Sequence, residues 1–407
     1  MIESMTDTHF TIVVPTRDRS DTLIYCLSTI LSQDYGNFSV LVSDNASTDG
    51  THEKVRRLND NRIDYINTGR RVSMSENWEF ALNHLKIKDG WVTILGDDDG
   101  LLPGALYSVN QIIKKTGHKA IRANGCSYYW PNLLGSSFGS ISVSIKKGFE
   151  VRNSGQMLQK ALDGKISYIE LPVLYNGGFI SGDLIEQARH KCGKVFNSLA
   201  PDIITGIIFS FLTEEYVYSY EPLAINGASV HSTGTSAHEK TKRNRAYDPL
   251  EKYLSESNIP YHKELPLTSN GTPLRSIPSS VYEAFLQAEV FHNLKSVKTS
   301  KEKQLNIILT DSGPNHNEIV EWAKLFSDRY NIDLSKYNLS GKMTLAKLTK
   351  LIILKLTNGM VLFKVNGSLI NPLQNVYQAS MVAGFIKDLR PSIFQLIKYR
   401  LKYLINK

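Results

Sequence analysis

The sequence predicts a mixed α/β fold: a mostly parallel sheet flanked by helices, with a mainly helical C-terminal region. Three observations predict it. Between residues 10 and 125 short β-rich runs alternate with helical patterns, the mark of βαβ units around a parallel sheet. From about residue 281 onward the apolar positions recur at helical spacing instead. Composition, 42% apolar and 21% charged, is that of an ordinary globular chain of 407 residues, long enough for two or three domains.

The elements follow in order. Residues 10–14 read as the first strand, stopped by Pro15. Leu23, Cys26, Leu27, Ile30 and Leu31 then repeat at helical spacing, with Ser20 or Asp21 available as the N-cap. Residues 38–42 form the second strand, and the polar loop 43–50 leads into a helix through Leu58. Residues 63–66 form the third strand, and a helix over 75–85 precedes an apolar strand at 91–96. Pro103 suits the first turn of a helix reaching Lys115. Further on, 148–164, 179–188 and 203–212 read as helices, 229–245 as a polar loop, 249–277 as a proline-bearing connector, and 281–294 and 317–330 as helices. The expected division is one domain over 1–245, in two parts at 8–130 and 131–245. A connector follows at 246–280, then a basic C-terminal region at 281–407.

Composition excludes several classes. No apolar run reaches the length of a spanning helix, and the first residues lack the basic and apolar segments of a signal peptide, so a cytoplasmic location is expected. Cys26, Cys126 and Cys192 are scattered without metal-site spacing and read as buried thiols. The net charge of +8 is unevenly placed: residues 336–407 hold 12 of the 47 Lys and Arg and one of the 39 acids, leaving −3 for the rest. Such a tail points to an anionic surface. Over 391–404, apolar residues at 393, 396, 397, 401 and 404 with Lys and Arg between them predict an amphipathic helix on a membrane surface, and 347–356 adds a second basic, apolar stretch. No recognised nucleic-acid motif accompanies the charge, so no nucleic-acid partner is expected.

Asp97, Asp98 and Asp99 follow the apolar strand directly. Carboxylates packed so densely raise one another's pKa unless a cation or hydrogen-bond donors compensate. Mg²⁺ or Mn²⁺ would suit, since hard cations take one or two protein carboxylates and complete their shell with water and phosphate oxygens. In an open α/β sheet, ligands collect outside the carboxyl ends of the strands, where the Pro15, Asp44 and Asp97 loops all fall.

Four ordered pieces, Val13 to Arg19, Val42 to Thr51, Ser75 to Trp78 and Leu95 to Leu106, resemble the inverting family 2 glycosyltransferases. That family has the Rossmann-like fold called GT-A. The resemblance implies a metal-dependent transfer of sugar from a nucleotide-diphospho-sugar, a UDP-sugar, to an acceptor hydroxyl, with 1–245 as the catalytic domain, its nucleotide-binding part at 8–130 and its acceptor part at 131–245. The basic tail points to a glycan or lipid-linked glycan as acceptor, as in bacterial surface-polysaccharide synthesis. The resemblance puts Asp44 on the nucleobase; Pro15, Thr16, Arg17, Arg71, Asp97 and Asp98 are the other candidate donor contacts. Arg19 and Arg70 are further candidates for the diphosphate. Ser47 and Asp49 are expected to cap.

The chain departs from the family at one point, because anchoring on Pro103 puts Gly96 where the first aspartate usually stands. Asp97 then supplies the ribose contact, Asp98 the metal ligand and Asp99 its support. Alternation along an extended segment would instead pair Asp97 with Asp99. The expected metal set is Asp98, Asp99 and His231, the last from the loop after the catalytic domain, with His238 as an alternative. Asp202, ahead of the apolar helix, is the candidate catalytic base, against a capping role; Glu214 and Glu215 form a second acidic pair. A nucleotidyltransferase lacks support because the first loop has no Gly-rich basic signature. A non-catalytic binding or adaptor module is the other alternative.

Overall fold

A computed structural model describes residues 7–85, 90–131, 139–232, 249–256, 258–311, 315–340, 360–364 and 373–389. The elements are β1 (Phe10–Thr16), α1 (Ser20–Leu31), β2 (Phe38–Asp44), α2 (Thr51–Arg57), β3 (Ile63–Asn67), α3 (Met74–Asn83), β4 (Trp91–Ile94), β5 (Gly100–Leu101), α4 (Ala105–Thr116), β6 (Ala120–Ala123), β7 (Cys126–Tyr129), β8 (Ser140–Ser144) and β9 (Phe149–Asn153). There follow α5 (Ser154–Leu162), β10 (Gly178–Ser181), α6 (Gly182–Cys192), α7 (Pro201–Leu212), β11 (Glu215–Ser219), β12 (Ala224–Ala228), α8 (Pro249–Leu254), α9 (Ile277–Gln287), α10 (Lys301–Leu309), α11 (His316–Tyr330), β13 (Met360–Lys364) and α12 (Val376–Leu389).

The large sheet has the order β3-β2-β1-β4-β10-β6-β11-β9. β3, β2, β1 and β4 run parallel, as do β6 and β11; β10 is antiparallel to both neighbours, and β9 closes the edge antiparallel. Central β1 is buried at every position, as expected for a strand covered on both faces. Its register sets Thr16 beside Asp44 and Val13 beside Ile94, so three strand ends open on one edge. Pro15 does not stop β1. It pairs with Ser43 on the β2 side, after the β4 pairing has ended at Val13, where its missing N–H costs nothing.

Two apolar layers cover this sheet. One packs α1 and α4 against it through Leu23, Leu27, Ile30, Leu106 and Val109. The other joins Trp78 of α3 and Ile203 and Ile207 of α7 to Phe285, Ile308, Trp322 and Phe326 of α9, α10 and α11. The helices expected to stand apart therefore share an apolar layer with the large sheet. The connector is packed as well: it contains α8, buries Leu265 and Leu274, and its Pro266 carbonyl accepts from Trp322 Nε1 at 2.7 Å. A second sheet, β13-β8-β7-β12-β5, carries α12 through Leu102, Tyr128, Trp130, Val376, Ala379 and Ala383.

Other local expectations are corrected. Ser20 is the first helical residue of α1 and not its cap; its N–H donates to Asp49 Oδ2 at 2.8 Å, so the loop after β2 caps this helix from a distance. Strand β9 precedes α5, and β10 precedes α6, where helices were expected throughout. Runs of four or five residues are too short for periodicity to separate strand from helix. The amphipathic segment 391–404, the stretch 347–356 and His238 lie outside the described residues.

Candidate active site

The aspartate loop begins where β4 ends, and each carboxylate is buried with its own donors. Asp97 accepts from Thr16 Oγ1 at 2.7 Å and from Arg19 at 3.0 Å. Burial raises its pKa, Arg19 opposes this and Asp98 adds to it. Asp98 takes the hydroxyls of Ser229 and Ser232 on Oδ2 at 2.6 and 2.5 Å, and its backbone carbonyl accepts from Trp130 Nε1 at 3.0 Å. Strand β12 lies so close that a Cβ at Gly227 would stand 1.7 Å from that carbonyl oxygen. Asp99 spends both oxygens on the protein: Oδ2 accepts from Tyr175 at 2.7 Å and Gly96 N–H at 3.1 Å, Oδ1 from Gly227 N–H at 2.7 Å and Asn226 at 3.2 Å. Burial, then the Asp98 charge, pushes its pKa up to about 7.

Gly96 acquires a reason from this arrangement. A Cβ there would sit 2.7 Å from Asp99 Oδ2 and 2.9 Å from the Tyr175 hydroxyl. The space of an expected carboxylate is thus filled by a tyrosine from a distant loop.

At the end of β2, Asp44 is buried and accepts from Ser47 N–H at 2.9 Å, Asn67 Nδ2 at 3.3 Å and the Tyr65 hydroxyl. Ser47 and Asp49 serve backbone N–H groups, Asp18 and Ser20 respectively. The arginines expected at a diphosphate all hold carboxylates: Arg17 pairs with Glu256, Arg71 with Asp18 at 2.6 Å and Arg70 with Glu76 at 2.7 Å. Burial, Arg17 and Arg71 lower the pKa of Lys252, so three cations converge beside the Pro15 loop.

Asp202 is not an N-cap. Ala200 holds that position, Pro201 is the first helical residue, and Asp202 lies in the first turn of α7. Its Oδ2 accepts from the Tyr168 hydroxyl at 2.8 Å. Burial raises the Asp202 pKa despite that bond. Tyr175 connects the two acidic groups electrostatically: burial raises its pKa well above the ordinary phenol value, and Asp99, Asp98 and Asp202 each add to the rise. Buried Arg122 fixes the intervening loop by donating to the Ile169, Tyr175 and Asn176 carbonyls. Glu214 lies on the exposed turn after α7 and Glu215 is the exposed first residue of β11.

The residues fit a divalent cation held by one protein carboxylate. Both described donors to Asp98 sit on Oδ2, and a hard cation readily takes one carboxylate oxygen with phosphate and water around it. The expected three residues are not brought together in this geometry. Among the described residues no three His, Cys, Asp or Glu are grouped to share an ion. Asp99 is consumed by four donors, and the His231 imidazole points to Asp21, 4.0 Å away, while its carbonyl accepts from Arg19.

Tyr168, Tyr175, Arg122, Ser229 and Glu256 were not legible as site residues, since none stands in a motif and their partners, Asp202, Asp99, the loop carbonyls, Asp98 and Arg17 respectively, are distant in sequence. Ser229 and Ser232 had a weak signal in their nearness to His231.

Residues 11–136 match the family Glycosyl transferase family 2. A curated Campylobacter jejuni protein, GalNAc(5)-diNAcBac-PP-undecaprenol beta-1,3-glucosyltransferase, is 31% identical over 175 residues, 42% of this chain and 50% of its own length. The chain thus spans about half the length of that relative. Among solved structures, S. aureus TarS 1-349 with UDP-GlcNAc matches at 12% identity and TM-score 0.46 over 85% of this chain and 79% of its own. The mannosyltransferase PcManGT from Pyrobaculum calidifontis, with GDP-Man and Mn²⁺, matches at 15% identity and TM-score 0.40 over 95% and 88%. Likenesses that distant carry no weight for substrate or metal.

Proposed function

We propose, from the premise that residues 11–136 are a family 2 glycosyltransferase domain, that the protein moves a sugar from a nucleotide-diphosphate donor to an acceptor hydroxyl with inversion. The observation that carries the reading is the shared edge of β1, β2 and β4, where Asp44, Asp97 and Asp98 stand together and Tyr175 brings Asp202 within electrostatic reach. Asp44 and Asp97 receive the base and ribose of a UDP-sugar. Arg17 and Arg71, with Lys252, face the diphosphate after exchanging their carboxylate partners for phosphate oxygens. Asp98 would hold Mn²⁺ or Mg²⁺, which when bound neutralises charge on the departing diphosphate.

Asp202 acts as general base. It takes the acceptor proton while the acceptor oxygen bonds to the anomeric carbon and the bond from that carbon to the diphosphate breaks, releasing the nucleotide. A carboxylate with a raised pKa is the better proton acceptor, and Tyr168 orients it. The curated relative's name supports a lipid-linked glycan acceptor, hence a role in bacterial surface-polysaccharide synthesis. With that acceptor and the basic C-terminal charge, the protein works from the cytoplasmic face of a membrane as a peripheral enzyme. Among the described residues no helix is long and apolar enough to cross one.

The test is nucleotide release from a panel of UDP-, GDP- and dTDP-sugars with and without Mn²⁺. Asp98→Asn should abolish Mn²⁺-assisted nucleotide binding in calorimetry. Asp202→Asn should bind donor normally and lose about 10²- to 10⁴-fold in transfer. Undiminished transfer by Asp202→Asn would remove the proposed base.

A further inference from the structure

Helix α12 is built the wrong way round for a helix whose outer face meets water. Its packed face is small along the middle: Ala379, Ser380, Ala383 and Gly384 are buried, with Val376 and Lys387 buried at either end, and a Cβ at Gly384 would lie 2.9 Å from the Pro103 ring. Its outer face is large. Met381, Phe385 and Leu389 are 47%, 64% and 59% exposed, three of the four most exposed large apolar side chains among the described residues. Spacing of four stacks them into one stripe.

Charge and position say what covers the stripe. On the helix itself Asp388 is exposed and Lys387 is buried. The chain continues with Arg390, Lys398, Arg400, Lys402 and Lys407 and no further acid, so five cations follow that single acid in sequence. An exposed apolar stripe followed in sequence by a net positive charge is the chemistry of an anionic lipid surface. The helix also packs on α1, β5, β8 and β12, behind the aspartate loop, and Leu102, three residues past Asp99, shares its core.

The geometry points to the outer face of α12 as the surface on which the protein lies against an anionic bilayer, with Met381, Phe385 and Leu389 entering the headgroup boundary. The inference deepens the membrane part of the proposed function by naming the face, and it turns the wall behind the aspartate loop toward the membrane. That orientation keeps the site close to an acceptor anchored in lipid.

Co-sedimentation of the full chain with vesicles tests it, using phosphatidylcholine alone and with about one third phosphatidylglycerol. Binding should favour the acidic vesicles, weaken in roughly 0.5 M salt, and fall about tenfold in the double variant Phe385→Asp, Leu389→Asp. Donor hydrolysis in solution should be the same in both proteins. A protein that turns over no sugar nucleotide but shows variant-sensitive vesicle binding would sink the catalytic reading and keep this one. Equal partitioning of wild type and double variant overturns the inference, as does equal binding to neutral vesicles. A wild-type dimer in light scattering that the double variant dissociates also overturns it, because a second copy would then cover the stripe.

Discussion

Asp202 illustrates how far one side chain depends on its surroundings. Burial lifts its pKa and the Tyr168 hydroxyl pulls it down; Arg122, Tyr175 and Tyr253 are the other ionisable groups within electrostatic reach. As the proposed base, Asp202 must be unprotonated, so kcat/KM should fall as pH drops through a value above the ordinary aspartate value. Tyr168→Phe removes the donor to the anion and should move that acid limb to higher pH. An unmoved limb in the pH profile would show that another group limits the rate. At the same scale, the aspartate triplet was plain in the sequence because charge at the end of an apolar strand is conspicuous. How its members divide the work was hidden, because Tyr175, Gly227 and Ser229 reach them from 76 to 131 residues away.

Among the elements, the long periodic ones were readable and the short ones were not. β1, β2, α1, α7 and α11 each present an apolar pattern of enough residues to define a period. β9 and β10 do not, and the sheet that pairs them supplied their identity. Helix α12 depends on a close approach: Gly384 stands where any Cβ would press on Pro103. Gly384→Val should therefore lift the helix from the second sheet, costing about 1–3 kcal/mol. Thermal denaturation should show a lower Tm, and an unchanged Tm would mean that the helix is not held by this contact.

Across the whole molecule, the second half of the chain buttresses the first. Glu283 of α9 accepts from Ser198 Oγ, His262 N–H and Gln287, and so ties α9 to the turn that presents Asp202. Burial pushes its pKa up to about 7 from 4.5. The folded state then binds the proton more tightly than the unfolded chain, so stability present at low pH is lost as pH rises from about 4.5 through 7, by roughly 3 kcal/mol. Glu283→Gln should flatten that decline in denaturant titrations at pH 5 and pH 8; an identical slope in both proteins would assign the decline elsewhere.

Local order was written in the chain: alternating β and helical patterns, a carboxylate cluster at a strand end, and a tail of unbalanced cations. These are properties of neighbouring residues, and periodicity and charge report them directly. Partnership over long distances was decided only by the folded chain. Burial against a shared core packed α9, α10 and α11 on the layer that covers the large sheet, gave both Asp99 oxygens to protein donors, turned His231 toward Asp21, and left the large side chains of α12 facing outward. Such outcomes follow from which surfaces meet, and no window of sequence contains both sides of a contact.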